Sequence, residues 1–148
     1  MKNKFITKSA EETRNLGEEL SIALKKGNVV ALYGELGAGK TTFVQGLSKG
    51  LGIKRRIISP TFIIVRRYKL TTHNSKIKSF YHIDLYRVGS PADIQSLGLD
   101  EIFESQDSII VVEWPEKLGS KLPVKRWNIK FEHQQDKNKR KITYGRGS

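Results

Sequence analysis

Three groups of residues in this chain have types and spacing suited to chemistry. The first is Gly34-Glu-Leu-Gly-Ala-Gly-Lys-Thr41, which meets G-x-x-x-x-G-K-[ST] at every required position. Glycines let successive backbone N–H groups curl around an anion, and a helix starting there adds the partial positive charge of its N-terminus. Lys40 is placed to reach β/γ-phosphates, and the Thr41 hydroxyl to ligate Mg²⁺. The second group is two acids that end apolar runs, Ile109-Ile-Val-Val-Glu113 and Tyr81-His-Ile-Asp84. A Walker A loop needs an acid on a neighbouring strand to hold Mg²⁺ directly or through water, and both carboxylates qualify. Tyr86 and Arg87 follow Asp84 closely enough to add polar contacts. The third is Ser59-Pro-Thr61, where Thr61 is placed to sense Mg²⁺ or a γ-phosphate; a plain turn before a strand accounts for these residues equally well.

Guanine-binding signatures are missing. Asn138-Lys-Arg-Lys141 lacks the aspartate that would pair with guanine, and Asp84-Leu-Tyr-Arg87 ends in arginine where glycine is needed. The expected nucleotide is therefore ATP, with Mg²⁺.

These groups have to be positioned by strands and helices. Ser9-Ala-Glu-Glu12 has the form of a capping box, and Leu16, Leu20 and Leu24 recur at helical spacing, which predicts a helix over 9–26. The apolar run Val29-Val-Ala-Leu-Tyr33 reads as a buried strand, and Phe43, Val44, Leu47 and Leu51 share one face of a helix that Gly52 ends. Strand, glycine-rich loop and helix are the context the phosphate motif requires, and a glycine turn without a ligand is hard to reconcile with it. Further on, 62–65 and 77–83 read as a hairpin joined through 71–76, 91–94 and 99–103 as short helices, and 109–112 as a second buried strand. Late strands are expected at 127–131 and 141–144, and a frayed tail at 145–148. The fold class that follows is α/β: a single P-loop NTPase domain over 1–148, with a mixed central sheet flanked by helices.

Composition narrows the classes further. The chain has no cysteine, so disulfides and thiolate zinc sites are excluded, and His73, His82 and His133 have no ligand spacing. No run approaches the ~20 apolar residues of a membrane span, which reads as a soluble cytoplasmic protein. The net charge of +12 is uneven: residues 121–148 hold nine Lys and Arg against Glu132 and Asp136, over half the excess. Together with Lys54-Arg55-Arg56 and Arg66-Arg67, this charge either steers toward phosphate-rich partners such as RNA or is solvated surface charge.

Taken in order and spacing, Gly34-Glu-Leu-Gly-Ala-Gly-Lys-Thr-Thr-Phe43, Ser59-Pro-Thr-Phe62, His82-Ile-Asp-Leu-Tyr-Arg87 and Val112-Glu-Trp-Pro115 resemble the TsaE (YjeE) family. The likeness covers about residues 9–140. It implies a bacterial cytoplasmic ATPase needed to make threonylcarbamoyladenosine beside the anticodon of tRNA, with TsaB and TsaD as partners. In that family TsaD transfers the threonylcarbamoyl group, and the ATPase supports repeated turnover without performing the transfer. By matching motif, Gly37, Ala38, Gly39, Lys40, Thr41 and Thr42 would bind the phosphates, Thr41 and Glu113 would hold Mg²⁺, and Asp84 would be the second essential acid. Thr61 would lie in the switch, Trp114 would flank the nucleotide, Thr13 would face its adenine side, and Arg140 would be a late basic residue near it.

Two other readings use the same residues. A small-molecule kinase on this fold would employ Arg55, Arg56, Arg66 and Arg87 to clamp a second phosphate-bearing substrate, although no arginine-rich lid segment is evident. A non-enzymatic RNA-binding module would use the basic C-terminus, without any recognisable RNA-binding signature.

Overall fold

In the computed structural model, residues 3–54, 57, 63–70 and 76–147 are described. The elements are β1 (Asn3–Thr7), α1 (Ala10–Ser21), β2 (Val29–Tyr33), α2 (Lys40–Gly50), β3 (Val65–Lys69), β4 (Ser79–Asp84), α3 (Pro91–Gln95), α4 (Leu99–Phe103), β5 (Ser108–Glu113), a 3₁₀ segment (Pro115–Lys121), β6 (Arg126–His133) and β7 (Arg140–Gly147). All strands join one mixed sheet in the order β1-β7-β6-β2-β5-β4-β3. The strand that feeds the phosphate loop, β2, is central and parallel to β5 on one side and β6 on the other, and β4 is parallel to β5. Antiparallel strands close both flanks, β3 on β4 and β7 then β1 on β6.

Successive side chains of a strand point to opposite faces, so a strand covered on both faces must be apolar throughout. That is the state of β2 and β5. Val30, Leu32, Ile109 and Val111 join Phe80, Phe43, Val44 and Leu47 in a core that includes Leu16 of α1. Val29, Ile110 and Val112 join Ile83, Ile94, Leu99 and Leu118 in a second core.

Helices α1 and α2 meet through glycines. A Cβ on Gly46 would collide with the backbone carbonyl of Arg14, and one on Gly17 with the carbonyl of Phe43. Because both obstacles are backbone, they cannot rotate away. Gly46→Ala should cost about 1–3 kcal/mol of stability, the range for overpacking a tight contact. The effect would be read as a lower urea midpoint with an unchanged slope; an unaltered midpoint would mean that the helices can separate without cost.

The structure departs from the sequence reading in four places. Helix α1 stops at Ser21 and not near residue 26: the N–H groups of Ile22, Ala23 and Leu24 bond three residues back, and the Ser21 hydroxyl donates to Glu18 O. Leu24 still reaches the core through these tight turns, which is why the leucine spacing continues past the helix. Strand β1 was not expected, because four of its five residues are exposed and it is held by backbone pairing to β7. The strand sought at 62–65 begins at Val65 and runs to Lys69 as a polar edge, paired with β4; Phe62 and most of the 71–76 turn lie outside the described residues. Finally, the chain does not fray from 145: Gly145 and Arg146 pair with Asn128 and Trp127. The Arg146 guanidinium lies 4.4 Å from the Trp127 ring centre.

Candidate functional site

Gly39 opens α2 with φ 100°, and Gly37 within the loop has φ 75°, conformations that side chains with a Cβ rarely adopt. No side chain caps α2 at Gly39, so the first-turn N–H groups are left for a ligand. Lys40 is nearly buried, at 5% exposure. Its ammonium folds back over the loop, donating to Gly34 O at 2.5 Å and lying 4.1 Å from the Trp114 ring centre. Burial pulls the Lys40 pKa below its usual value, although Glu113, Asp84 and Glu116 favour its charged form.

The two acids stand beside each other. Asp84 and Glu113 are register partners across the parallel β4–β5 pair, at the C-terminal ends of strands next to the phosphate loop. Their surroundings differ. Glu113 is 2% exposed and its Oε2 lies 2.5 Å from Nε2 of His82. Asp84 is half-buried, and its Oδ1 accepts from the Tyr86 N–H at 3.0 Å. Burial first, and the charge of Glu113 second, push the Asp84 carboxyl above the usual range, against the Tyr86 N–H, His82 and Lys40, which lower it.

Trp114 takes φ 60° and ψ 48°, the left-handed region, which is rare for a bulky side chain. This turn carries its ring back over Lys40 and 5.2 Å from that of Tyr86. Lys117 of the 3₁₀ segment fastens the loop after β4 by donating to Tyr86 O at 2.6 Å and Val88 O at 2.9 Å.

A cavity of about 700 Å³ lies in front of these groups. Gly37, Gly39, Lys40, Thr41, Thr42, Asp84, Glu113, Trp114, Thr13 and Arg140 all line it, although they come from opposite ends of the chain. Thr13 is 3% exposed and uses its hydroxyl on Thr7 and Ser9 O. Arg140 donates to Gly37 O at 3.2 Å and to the carbonyl of Lys139 at 2.9 Å, tying the start of β7 to the phosphate loop. Ala38 is different: its side chain belongs to the core, so only its backbone can serve a ligand. Thr61 lies outside the described residues.

Some lining residues were not expected at the site from the sequence, among them Leu36, Ile63 and Lys137. No local pattern marks them. His82 could have been found: two residues before Asp84 on a strand, it must share that residue's face.

The donors suit Mg²⁺. Among the described residues no cluster of three or more His, Cys, Asp or Glu forms a cage. A hydroxyl at Thr41 and carboxylates at Glu113 and Asp84 face one cavity, and Mg²⁺ is bound through one or two carboxylates with phosphate oxygens and water, not by an all-protein cage.

The family model described as "Threonylcarbamoyl adenosine biosynthesis protein TsaE" matches residues 7–142. The chain belongs to the TsaE family. A Bacillus subtilis protein named tRNA threonylcarbamoyladenosine biosynthesis protein TsaE is 38% identical over 95% of this chain and 84% of its own length. Proteins of the same name from Nostoc and Treponema pallidum are 41% and 38% identical, each over 80% of this chain. The fold is similar to a crystal structure of Bacillus subtilis YdiB, with a TM-score of 0.80 and 33% identity over all of this chain and 87% of that one. The fold is that of a P-loop NTPase, with a seven-stranded mixed sheet. Among the described residues no helix is long and apolar enough to cross a membrane.

Proposed function

We propose that this chain binds and hydrolyses Mg-ATP in the cytoplasm, and thereby supports threonylcarbamoyladenosine modification of tRNA by homologues of TsaB and TsaD. The observation that carries the reading is the pairing of Asp84 with Glu113 beside Lys40, in a cavity whose floor is the phosphate loop. A cavity of about 700 Å³ is the size of a small-molecule site. In this reading the backbone from Gly37 to Thr42 and the Lys40 ammonium bind the phosphates, and Thr41 and Glu113 hold Mg²⁺. Mg²⁺ held by Thr41 and Glu113 would supply positive charge against the charge developing on the phosphates. Asp84 orients water or couples the phosphate state to the segment around Thr61. Thr13 and Arg140 flank the far end of the nucleotide, and Trp114 lies against it.

No water-positioning glutamine faces the phosphate loop among the described cavity residues. Hydrolysis by the isolated chain is therefore expected to be slow and to rise when TsaB and TsaD are added, since such parts are often completed in trans. Phosphate release measured with and without the partners checks this. A rate already fast alone and indifferent to the partners would mean that the site is complete within this chain. Recovery of the partners in a pull-down only with ATP present would support both the assembly and its nucleotide dependence.

Of the arginines on which a kinase reading rests, Arg87 lines the cavity, Arg66 lies on β3 outside its lining, and Arg55 and Arg56 are outside the described residues. Product analysis separates the readings: free phosphate supports an ATPase, and a labelled acceptor a kinase. The basic C-terminal region is not a block of free charge, because Lys137 and Arg140 line the cavity and Lys130 and Lys141 bracket Glu132 at 3.7 and 4.0 Å.

A further inference from the structure

Residue His82 is fully buried on β4, and its ring has a single hydrogen-bonding partner among the described residues, Glu113. Nε2 meets Oε2 of that carboxylate, while Nδ1 has none. The arrangement follows from register. His82 pairs with Val111 and Asp84 with Glu113, so His82 is the diagonal neighbour of Glu113 on the sheet face toward α2. On its other side, β3 places Arg66 opposite His82.

An imidazole kept only for packing gains nothing over an apolar ring of similar size, because Nδ1 is buried without a partner among the described residues and the cost of that burial is not recovered locally. What the ring does supply is one donor, aimed at one oxygen. A carboxylate only accepts, so the proton of this bond sits on Nε2. Glu113 has a flexible side chain beside the Lys40 ammonium, yet among the described residues its hydrogen bond is with His82 and no ion pair with Lys40 is found.

We propose that His82 is a positioning residue for Glu113, fixing Oε2 from behind so that Oε1 is the oxygen presented to the phosphate loop. It deepens the reading of Glu113 as a Mg²⁺ carboxylate and rests on it. Without His82, Glu113 is free to rotate toward Lys40, which would withdraw both groups from the nucleotide.

The test compares His82→Phe, His82→Gln and Glu113→Gln with the unaltered chain, measuring the Mg²⁺ concentration that gives half-maximal affinity for a non-hydrolysable ATP analogue. His82→Phe should raise that concentration about tenfold, the low end for losing a residue that orients a metal ligand. The affinity measured without Mg²⁺ should hardly change. His82→Gln, which can extend an N–H donor to the same oxygen, should recover most of the loss, which a role in packing alone would not predict. In ¹⁵N-histidine NMR of the unaltered chain, the resonance that disappears in His82→Gln should carry its proton on Nε2. A proton on Nδ1 overturns the proposal even if His82→Phe fails to fold. A normal Mg²⁺ response in His82→Phe, with that response lost in Glu113→Gln, overturns the role of His82 and leaves that of Glu113 standing. An unchanged response in Glu113→Gln as well overturns both.

Discussion

Replacing Lys40 with alanine should lower ATP affinity by on the order of a hundredfold, the loss expected when one partner of a buried, charge-assisted contact is truncated. Among the cavity residues, Lys40 is the cation on the phosphate loop itself, and its ammonium is already held over that loop by Gly34 O. Calorimetric titration checks the loss, and an unchanged affinity would remove the phosphate loop from the proposed site. Stability should respond in the other direction. Burial depresses the Lys40 pKa, so the folded chain holds this proton less tightly than the unfolded chain does. Its favourable contribution to stability is present above the unfolded value of 10.5 and is lost as pH falls through the lower folded one, which leaves a net cost for the charge near neutral pH. Lys40→Met should therefore melt no lower than the unaltered chain at neutral pH, while the rise in melting temperature on adding Mg-ATP disappears. A large drop in melting temperature without nucleotide would show that the cation holds the fold together.

The two carboxylates should separate by function. Glu113→Gln keeps the shape and removes the charge, and nucleotide affinity should then lose most of its dependence on Mg²⁺. Asp84→Asn should still bind ATP in a Mg²⁺-dependent way, while hydrolysis stimulated by the partners falls by a factor of about a hundred or more, the scale of a lost acid–base group. The assignment follows their environments. Glu113 is buried at the cavity wall and anchored by His82, as suits a fixed ligand. Asp84 is more open to the cavity and held by one backbone N–H, as suits a group that meets water.

A raised carboxyl pKa also has a definite sign. The folded chain binds the Asp84 proton more tightly than the unfolded chain, so its contribution to stability is full below the usual aspartate value of 3.8 and is lost as pH rises through the higher folded value. At neutral pH the charged Asp84 is thus a cost to the chain without nucleotide, and Asp84→Asn should raise its melting temperature. Titration of both variants with ATP, with and without Mg²⁺, followed by turnover with the partners, decides the division. Loss of the Mg²⁺ effect in Asp84→Asn and its retention in Glu113→Gln would reverse the two roles.

The form of the phosphate loop was legible because it is local. A glycine-rich turn between an apolar strand and an amphipathic helix can be read from adjacent residues, and Gly34 through α2 is such a segment. The apolar runs before Asp84 and Glu113 were legible for a related reason: strands buried on both faces need continuous apolar sequence. Which strands are neighbours is not written in any of them. Only the sheet order sets β5 beside β2 and β4 beside β5, and only the register brings Asp84 level with Glu113. The same holds for Arg140, which reaches Gly37 across 103 residues of sequence through the return of β7 along β6. Strand β1 and the orientation of His82 were hidden differently. One is held by backbone hydrogen bonds, which leave no trace in side-chain pattern, and the other by a single contact between residues 31 apart. Sequence by itself determined what could bind a phosphate and a metal; tertiary structure decided which groups meet, because parallel pairing joins segments that the chain keeps far apart.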